Sequence, residues 1–243
     1  MVQVGRMGKE VINAVEQNPK FKIVCGFDLH ENNKNSFPIY NDIQKIKENV
    51  DVIIDFSVPE ATFKILEYAK QNKVPIVIAT TGFNKEQLEE IEKISKIIPI
   101  FRSSNMSVDI NLMAKIVQKV AEVLKDSDIE ITETHHNRKI DSPSGTAILL
   151  ADEINKVFNN EKEYNFDRMN KREKRNKKEI GFSSIRGGNV VGEHTVQFFG
   201  ENETLEITHK AYSRQVFAEG ALKAAEFVVK QEPGVYNMEK LVD

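Results

Sequence analysis

The densest set of reactive side chains in the chain is ETHHNRKIDSPSGTA, residues 133–147. Two adjacent histidines, His135 and His136, are followed by Arg138, Lys139 and Asp141, and then by PSGT at the start of an amphipathic run. A histidine exchanges protons near neutral pH, and a lysine either neutralises developing negative charge or delivers a proton. Where PSGT opens a helix, the N–H groups of Gly145, Thr146 and the next residue are candidates to hold a carboxylate, helped by the helix dipole and the Thr146 hydroxyl. The combination points to an acidic substrate that is protonated. No metal site is expected, although Glu133 lies close by. Adjacent histidines on a strand point to opposite faces, and no third ligand stands at helical or hairpin spacing. Ser144 lacks the GxSxG elbow of a nucleophile and is expected to cap the helix. By composition alone the segment could also be a polar loop.

A second set of residues suits a phosphate-bearing ligand. GRMG, residues 5–8, precedes an apolar run (Val11, Ile12, Ala14, Val15) at helical spacing, so it reads as a glycine turn opening a helix. Such a turn normally follows a strand, and here almost none precedes it. Asp28 follows Gly5 at close to the roughly 20-residue spacing at which an acid meets the adenosine ribose in dinucleotide folds. Alone, Asp28 also fits a turn former or helix cap. DFS at 55–57 and ATTG at 79–82 likewise stand where apolar runs end. In an open α/β sheet these carboxyl ends line the ligand crevice.

The elements that must position these residues show in the periodicity. FKIVCGFD, DVIIDFS, VPIVIATTG and IPIFRSS are short apolar runs that alternate with amphipathic segments such as PEATFKILEYAKQ and KEQLEEIEKISK. That is the pattern of an α/β, Rossmann-like, doubly wound parallel sheet buried on both faces. After Asn105 the pattern changes to a long helix (about 109–125), the strand DIEITETHH, the helix GTAILLADEINKV, and strands within GFSSIRGG, HTVQFFG and TLEITHKA. This predicts a mixed α+β domain inserted into the first. From about Arg214 a helix returns, expected to pack on the first domain. The basic run RMNKREKRNKK, residues 168–178, reads as a solvated loop that could also attract an anion.

With 243 residues, 40% hydrophobic and 29% charged, the chain can bury a substantial core. A net charge of −3 argues against a nucleic-acid partner. No apolar stretch of about 18 residues or export signal is present, so a membrane is not expected either. The single cysteine, Cys25, sits among apolar neighbours and reads as a buried strand thiol in a protein of the reducing cytoplasm.

Taken together, GRMG, DFS, ATTG, SSNMS, ExHHxxKxDxPSGTA and IRGG followed by VGEHTVQFFG resemble the dihydrodipicolinate reductase family, nearly end to end. The resemblance implies a dinucleotide-binding domain (1–106), a substrate-binding and oligomerisation domain (107–213) that builds a homotetramer, and a returning segment (214–243). It implies reduction of a cyclic dicarboxylate, 4-hydroxy-tetrahydrodipicolinate, by NADH or NADPH with loss of water, in the diaminopimelate route to lysine. His135 would be the acid/base histidine and Lys139 the proton donor. His136, Gly145 and Thr146 would hold the substrate. Gly5, Arg6 and Met7 would meet the pyrophosphate and Asp28 the ribose. Ala79, Thr80 and Thr81, with Ser103, Ser104, Asn105 and Met106, would surround the nicotinamide end. A bare carboxylate at Asp28 repels a 2′-phosphate, which favours NADH, with NADPH tolerated if His30 or Lys34 reaches it.

Three positions depart from the family pattern. Val2 stands for a glycine, with the strand before GRMG apparently lost. Asp109, where glycine is usual, is expected to cap the next helix or to crowd the cofactor side, and Ala79 replaces a glycine. A lost first strand would leave an apolar slot in mid-sheet. It implies either a gene start set too far downstream or weak cofactor binding, and the latter motivates an alternative: a cofactor-poor dicarboxylate-binding relative without turnover.

Overall fold

The computed structural model describes residues 1–3, 5–28, 35–169 and 171–242; His30 and Lys34 lie outside the described residues. The chain divides into two compact units, Met1–Val108 with Arg214–Asp243, and Asp109–Ser213.

The first unit contains β1 (Val2–Gln3), α1 (Arg6–Glu16), β2 (Gly26–Phe27), β3 (Ile39–Tyr40), β4 (Ile53–Asp55), α2 (Pro59–Asn72), β5 (Ile76–Ile78), α3 (Lys85–Ser95) and β6 (Pro99–Arg102). The returning segment adds α6 (Gln215–Val228), β12 (Gly234–Tyr236) and α7 (Met238–Val242). Its seven strands run in the order β12-β6-β5-β4-β1-β2-β3, and every pairing is parallel. Chain direction across the sheet reverses between β1 and β4, the place where doubly wound sheets open a ligand crevice. Alternation within each strand feeds two cores. Ile53, Ile76, Ile78 and Ile100 meet Ile65 and Leu66 of α2 and Ile91 and Ile94 of α3. Ile54, Val77 and Phe101 meet Val11 and Ala14 of α1 and Ala218, Ala221 and Ala225 of α6. Each buried isoleucine, leucine, valine or phenylalanine among them is worth about 1.5–3 kcal/mol, and each alanine less. Local signals set the helix starts: Pro59 opens α2, and Asn84 and Gln87 form a reciprocal capping box on α3. Gly220 of α6 is fixed by packing, because a Cβ there would stand 1.7 Å from the Met106 carbonyl oxygen.

A strand does precede the glycine turn. Val2 and Gln3 pair with Gly26 and Phe27, and Val2 with Ile54, so β1 is a two-residue strand in mid-sheet. Met1 extends the contact, its amino group donating to the Val52 carbonyl at 2.8 Å while its own carbonyl accepts from Ile54 N at 3.0 Å. Burial pulls that amino group down to about 6. The strand expected over FKIVCGFD is short: β2 is Gly26–Phe27 alone, paired with β1 on one side and β3 on the other. Beside β1 lies a cavity of about 460 Å³ whose walls include Met1, Val11, Ile23, Val52, Ile54 and Leu222. Cys25 is fully buried, and burial first of all pushes its thiol up to about 11, as a structural thiol should behave.

The second unit contains α4 (Val108–Val123, whose first residue belongs to the first unit), β7 (Asp128–His135), α5 (Gly145–Val157), β8 (Glu163–Asn165), β9 (Glu179–Arg186), β10 (Gly192–Phe199) and β11 (Thr204–Ala211). The sheet order is β11-β10-β7-β9-β8; β10 is antiparallel to both neighbours, while β7, β8 and β9 run parallel. Met113, Val117 and Ala121 of α4 and Leu150, Ala151 and Ile154 of α5 cover one face, against Ile129, Ile131, Ile180, Val196 and Phe198. Two expectations are corrected by this fold, and one strand is additional to them. β8 was not anticipated, being only three residues long. Asp109 lies within the first turn of α4, where a carboxylate suits the helix dipole, rather than at its cap. The basic run is not simply solvated: Arg168 pairs with Glu179, and Arg175 bonds Glu130 and the carbonyls of Ile129 and Glu179, because buried carboxylates on the sheet need cations. Among the described residues, no helix is long and apolar enough to cross a membrane.

Candidate functional site

The site in the second unit begins with strand periodicity. Ile129, Ile131, Glu133 and His135 alternate on the buried face of β7, so the pattern that packs two isoleucines also turns a carboxylate and an imidazole inward. Glu133 is 1% exposed and accepts hydrogen bonds from several sides. Arg186 at the end of β9 donates twice, at 2.7 and 2.8 Å, and the Ser144 N–H donates at 3.1 Å. The His135 Nδ1 lies 2.5 Å from the same carboxylate. Burial alone would raise Glu133, but Arg186, Ser184 and His135 outweigh it and hold the carboxyl down at about 2. Burial lowers His135 from its ordinary value, with Glu133 partly offsetting that effect.

Ser144 caps α5 as expected: its Oγ accepts from Ala147 N at 3.1 Å and lies 2.9 Å from His194 Nε2. The third N–H expected to hold a carboxylate is therefore taken by the cap, leaving Gly145 and Thr146 as the first residues of the helix. Beyond its chain neighbours and its own helix backbone, no atom of the described residues lies within 4 Å of where a Gly145 Cβ would point. The rings of His135 and His194 meet edge to face at 5.1 Å, and burial first, then His135, pull His194 down to about 3. His136 leaves the strand, its N–H donating to Val190 O at 2.8 Å. The Lys139 ammonium pairs with Asp141 at 2.8 Å, and Arg186 also donates to the Asp141 carbonyl. IRGG forms the turn that holds this loop: Gly187 donates to the His135 carbonyl, and Gly188, at φ +51°, offers its carbonyl to Asn137 N. Only a residue comfortable in that left-handed region suits the turn.

In the first unit, the expected cofactor residues follow the carboxyl ends of parallel strands. Gly5 is the N-cap of α1 and has no side chain to satisfy the first-turn N–H groups, a fit for an anionic phosphate. Met7 is half-buried in that turn, and the Arg6 side chain lies outside the described residues. Asp28 follows β2, its N–H donating to Tyr40 O at 3.0 Å. Ala79, Thr80 and Thr81 follow β5. Thr80 is turned inward, its hydroxyl donating to Asp55 at 3.1 Å, whereas Thr81 is exposed. Ser103 and Ser104 follow β6; the Ser103 hydroxyl donates to Asn105 O at 2.8 Å, and the Asn105 side chain accepts from Ser107 N at 2.8 Å. Met106 is 2% exposed and belongs to the core, with its carbonyl packed against Gly220.

Sequence reasoning passed over Arg186 and His194 and weighed Glu133 only as a metal ligand. Their one signal was membership of the IRGG and VGEH motifs, since no local spacing links residues of different strands.

A family model described as "Dihydrodipicolinate reductase, N-terminus" matches residues 3–106, and one described as "Dihydrodipicolinate reductase, C-terminus" matches residues 109–242. The chain belongs to the dihydrodipicolinate reductase family. The 4-hydroxy-tetrahydrodipicolinate reductase of Caldanaerobacter subterraneus subsp. tengcongensis is 49% identical over 242 residues, covering 98% of this chain and 94% of that protein. The enzyme of the same name from Clostridium novyi is 44% identical over 239 residues, with 98% and 94% covered. The solved structure of dipicolinate-bound dihydrodipicolinate reductase from Paenisporosarcina sp. TG-14 superposes with a TM-score of 0.79 at 26% identity, covering 98% of this chain and 97% of that one. Membership carries the family activity: NAD(P)H-dependent reduction of 4-hydroxy-tetrahydrodipicolinate on the diaminopimelate route to lysine. The alternative of a relative without turnover finds no support.

Proposed function

We propose that the reduction is run by His135 and Lys139, with His136, Gly145 and Thr146 holding the cyclic dicarboxylate. Support comes chiefly from one observation: Glu133 ties together the end of β7, which carries His135, and Ser144, which starts α5. One buried carboxylate thus orients both the acid/base histidine and the anion-binding helix start. Dipicolinate bound to the Paenisporosarcina relative fits the same substrate class. A carboxylate at the N-terminus of α5 gains on the order of 0.3–1 kcal/mol from the dipole, and a lysine beside it neutralises a second charge. When bound, the nicotinamide would supply a hydride to the substrate ring once the ring hydroxyl has left as water. A proton must then reach the neighbouring ring atom, for which Lys139, oriented by Asp141, and His135 are the donors within this unit.

In the first unit, the reading gives Gly5, Arg6 and Met7 to the pyrophosphate and Asp28 to the ribose. It gives Ala79, Thr80, Thr81, Ser103, Ser104, Asn105 and Met106 to the nicotinamide end, through backbone groups where the side chain is inward. Asp28 favours NADH over NADPH by charge repulsion against a 2′-phosphate. Residues 107–213 form the substrate and oligomerisation domain of a homotetramer, residues 1–106 and 214–243 the dinucleotide domain, and the enzyme works in the cytoplasm.

The test is the fall in nicotinamide absorbance with substrate. Lys139→Ala is expected to lower kcat by about 10²–10⁴-fold, the usual worth of acid–base assistance. Unchanged activity would remove Lys139 from the reaction. Fluorescence titration should give tighter NADH than NADPH binding, and the reverse order would withdraw the role given to Asp28.

A further inference from the structure

We infer that Glu133 is the positioning residue of His135: its carboxylate holds the imidazole with a hydrogen on Nδ1, so that Nε2 is the atom through which the proton is exchanged. The inference rests on the reading that His135 takes part in the reaction. Three observations carry it. The carboxylate is buried and receives the Nδ1 edge at 2.5 Å, a distance at which Nδ1 carries a proton and donates it. The carboxylate cannot turn away, because Arg186 grips both oxygens and the Ser144 N–H donates to one of them. Away from the carboxylate, Nε2 lies beside Gly192, where a Cβ would stand 3.0 Å from it, so any larger residue there would crowd that nitrogen.

The charge balance points the same way. The groups that face His135 are Glu133 on its own strand, Lys139 in the loop beyond it, Arg186 on β9 and His194 on β10. Glu133 is the one acid among them. Without it the imidazolium would stand near the cations Arg186 and Lys139, the latter paired with Asp141, so the carboxylate both selects the tautomer and makes protonation of Nε2 less costly.

Nitrogen-15 NMR of the histidine-labelled protein tests this directly, with the His135 signals assigned by their loss in His135→Gln. The expected wild-type spectrum at neutral pH has a protonated Nδ1 and an unprotonated Nε2 for His135. The opposite tautomer overturns the inference, and this reading needs no variant of Glu133 to fold. Glu133→Gln, of nearly the same shape, is expected to lower kcat on the order of 10²-fold. It should also shift the limb of the pH–rate profile governed by His135 to lower pH, because a charge that favours imidazolium has gone. A purely structural role would reduce activity at all pH values and leave that limb in place, which would count against the inference. His135→Gln separates the two layers: if it retains wild-type activity, the catalytic reading itself fails, whereas a wrong tautomer with an inactive His135→Gln defeats only the role given to Glu133.

Discussion

Each unit buries a carboxylate at or near the carboxyl end of a central strand, and the two behave in opposite ways. Asp55, ending β4, is fully buried and accepts from the Thr62 hydroxyl at 2.5 Å, the Ser57 N–H at 2.9 Å and the Thr80 hydroxyl at 3.1 Å. None of these donors carries charge. Burial therefore prevails and raises its carboxyl above the usual range, the hydrogen bonds only tempering it. Glu133, ending β7 with His135, is equally withdrawn from water but faces Arg186, and its carboxyl falls to about 2. Burial pushes both carboxyls up, and the charged partners of Glu133 turn its shift downward. Asp55 is in effect a staple that joins the loops after β4 and β5, while Glu133 keeps a negative charge that a histidine can use.

That contrast predicts unequal costs. Arg186→Met leaves Glu133 buried without its cation and should cost about 3–5 kcal/mol of stability at neutral pH, read from chemical denaturation. A loss below about 1 kcal/mol would mean that neutral donors suffice and the distinction collapses. Asp55→Asn, which keeps one acceptor oxygen among neutral donors, should cost only about 1–2 kcal/mol. The acid dependence should also split. The Glu133 contribution is complete above about 4.5, its ordinary value, and is lost as the pH falls through about 2. Asp55 has the reverse sign: its raised carboxyl favours the fold below its ordinary value of 3.8, and that favour is lost as the pH rises through its folded value. Denaturation midpoints across the acid range should therefore lose steepness in Glu133→Gln and gain it in Asp55→Asn, and parallel curves would break the comparison. Smallest of all, Thr80→Val removes one neutral donor and should cost about 1 kcal/mol.

How much of this was legible in the sequence depended on how far apart the cooperating residues lie. The α5 segment and its Ser144 cap were readable because capping is settled within four residues. The strands β4, β5 and β6 were readable as short apolar runs. The run FKIVCGFD carried the same signal and yielded two residues of strand, because a strand forms only where a neighbour pairs with it. The Asp55 staple was hidden in DFS, since nothing local reveals that Thr80 turns its hydroxyl inward. Arg168 and Arg175 looked solvated because the carboxylates they serve belong to other strands.

By itself the chain dictated its α/β alternation, the change of pattern after Asn105, the cap of α5 and the placing of Glu133 and His135 on one face of a strand. All of these follow from periods of two or 3.6 residues and from contacts within a turn. Strand register decided the rest: β7 beside β9 sets His135 opposite Arg186, and β10 beside β7 sets His194 opposite Glu133. Those pairings join residues 51 and 61 positions apart, and only the folded sheet, whose buried faces must match, selects them.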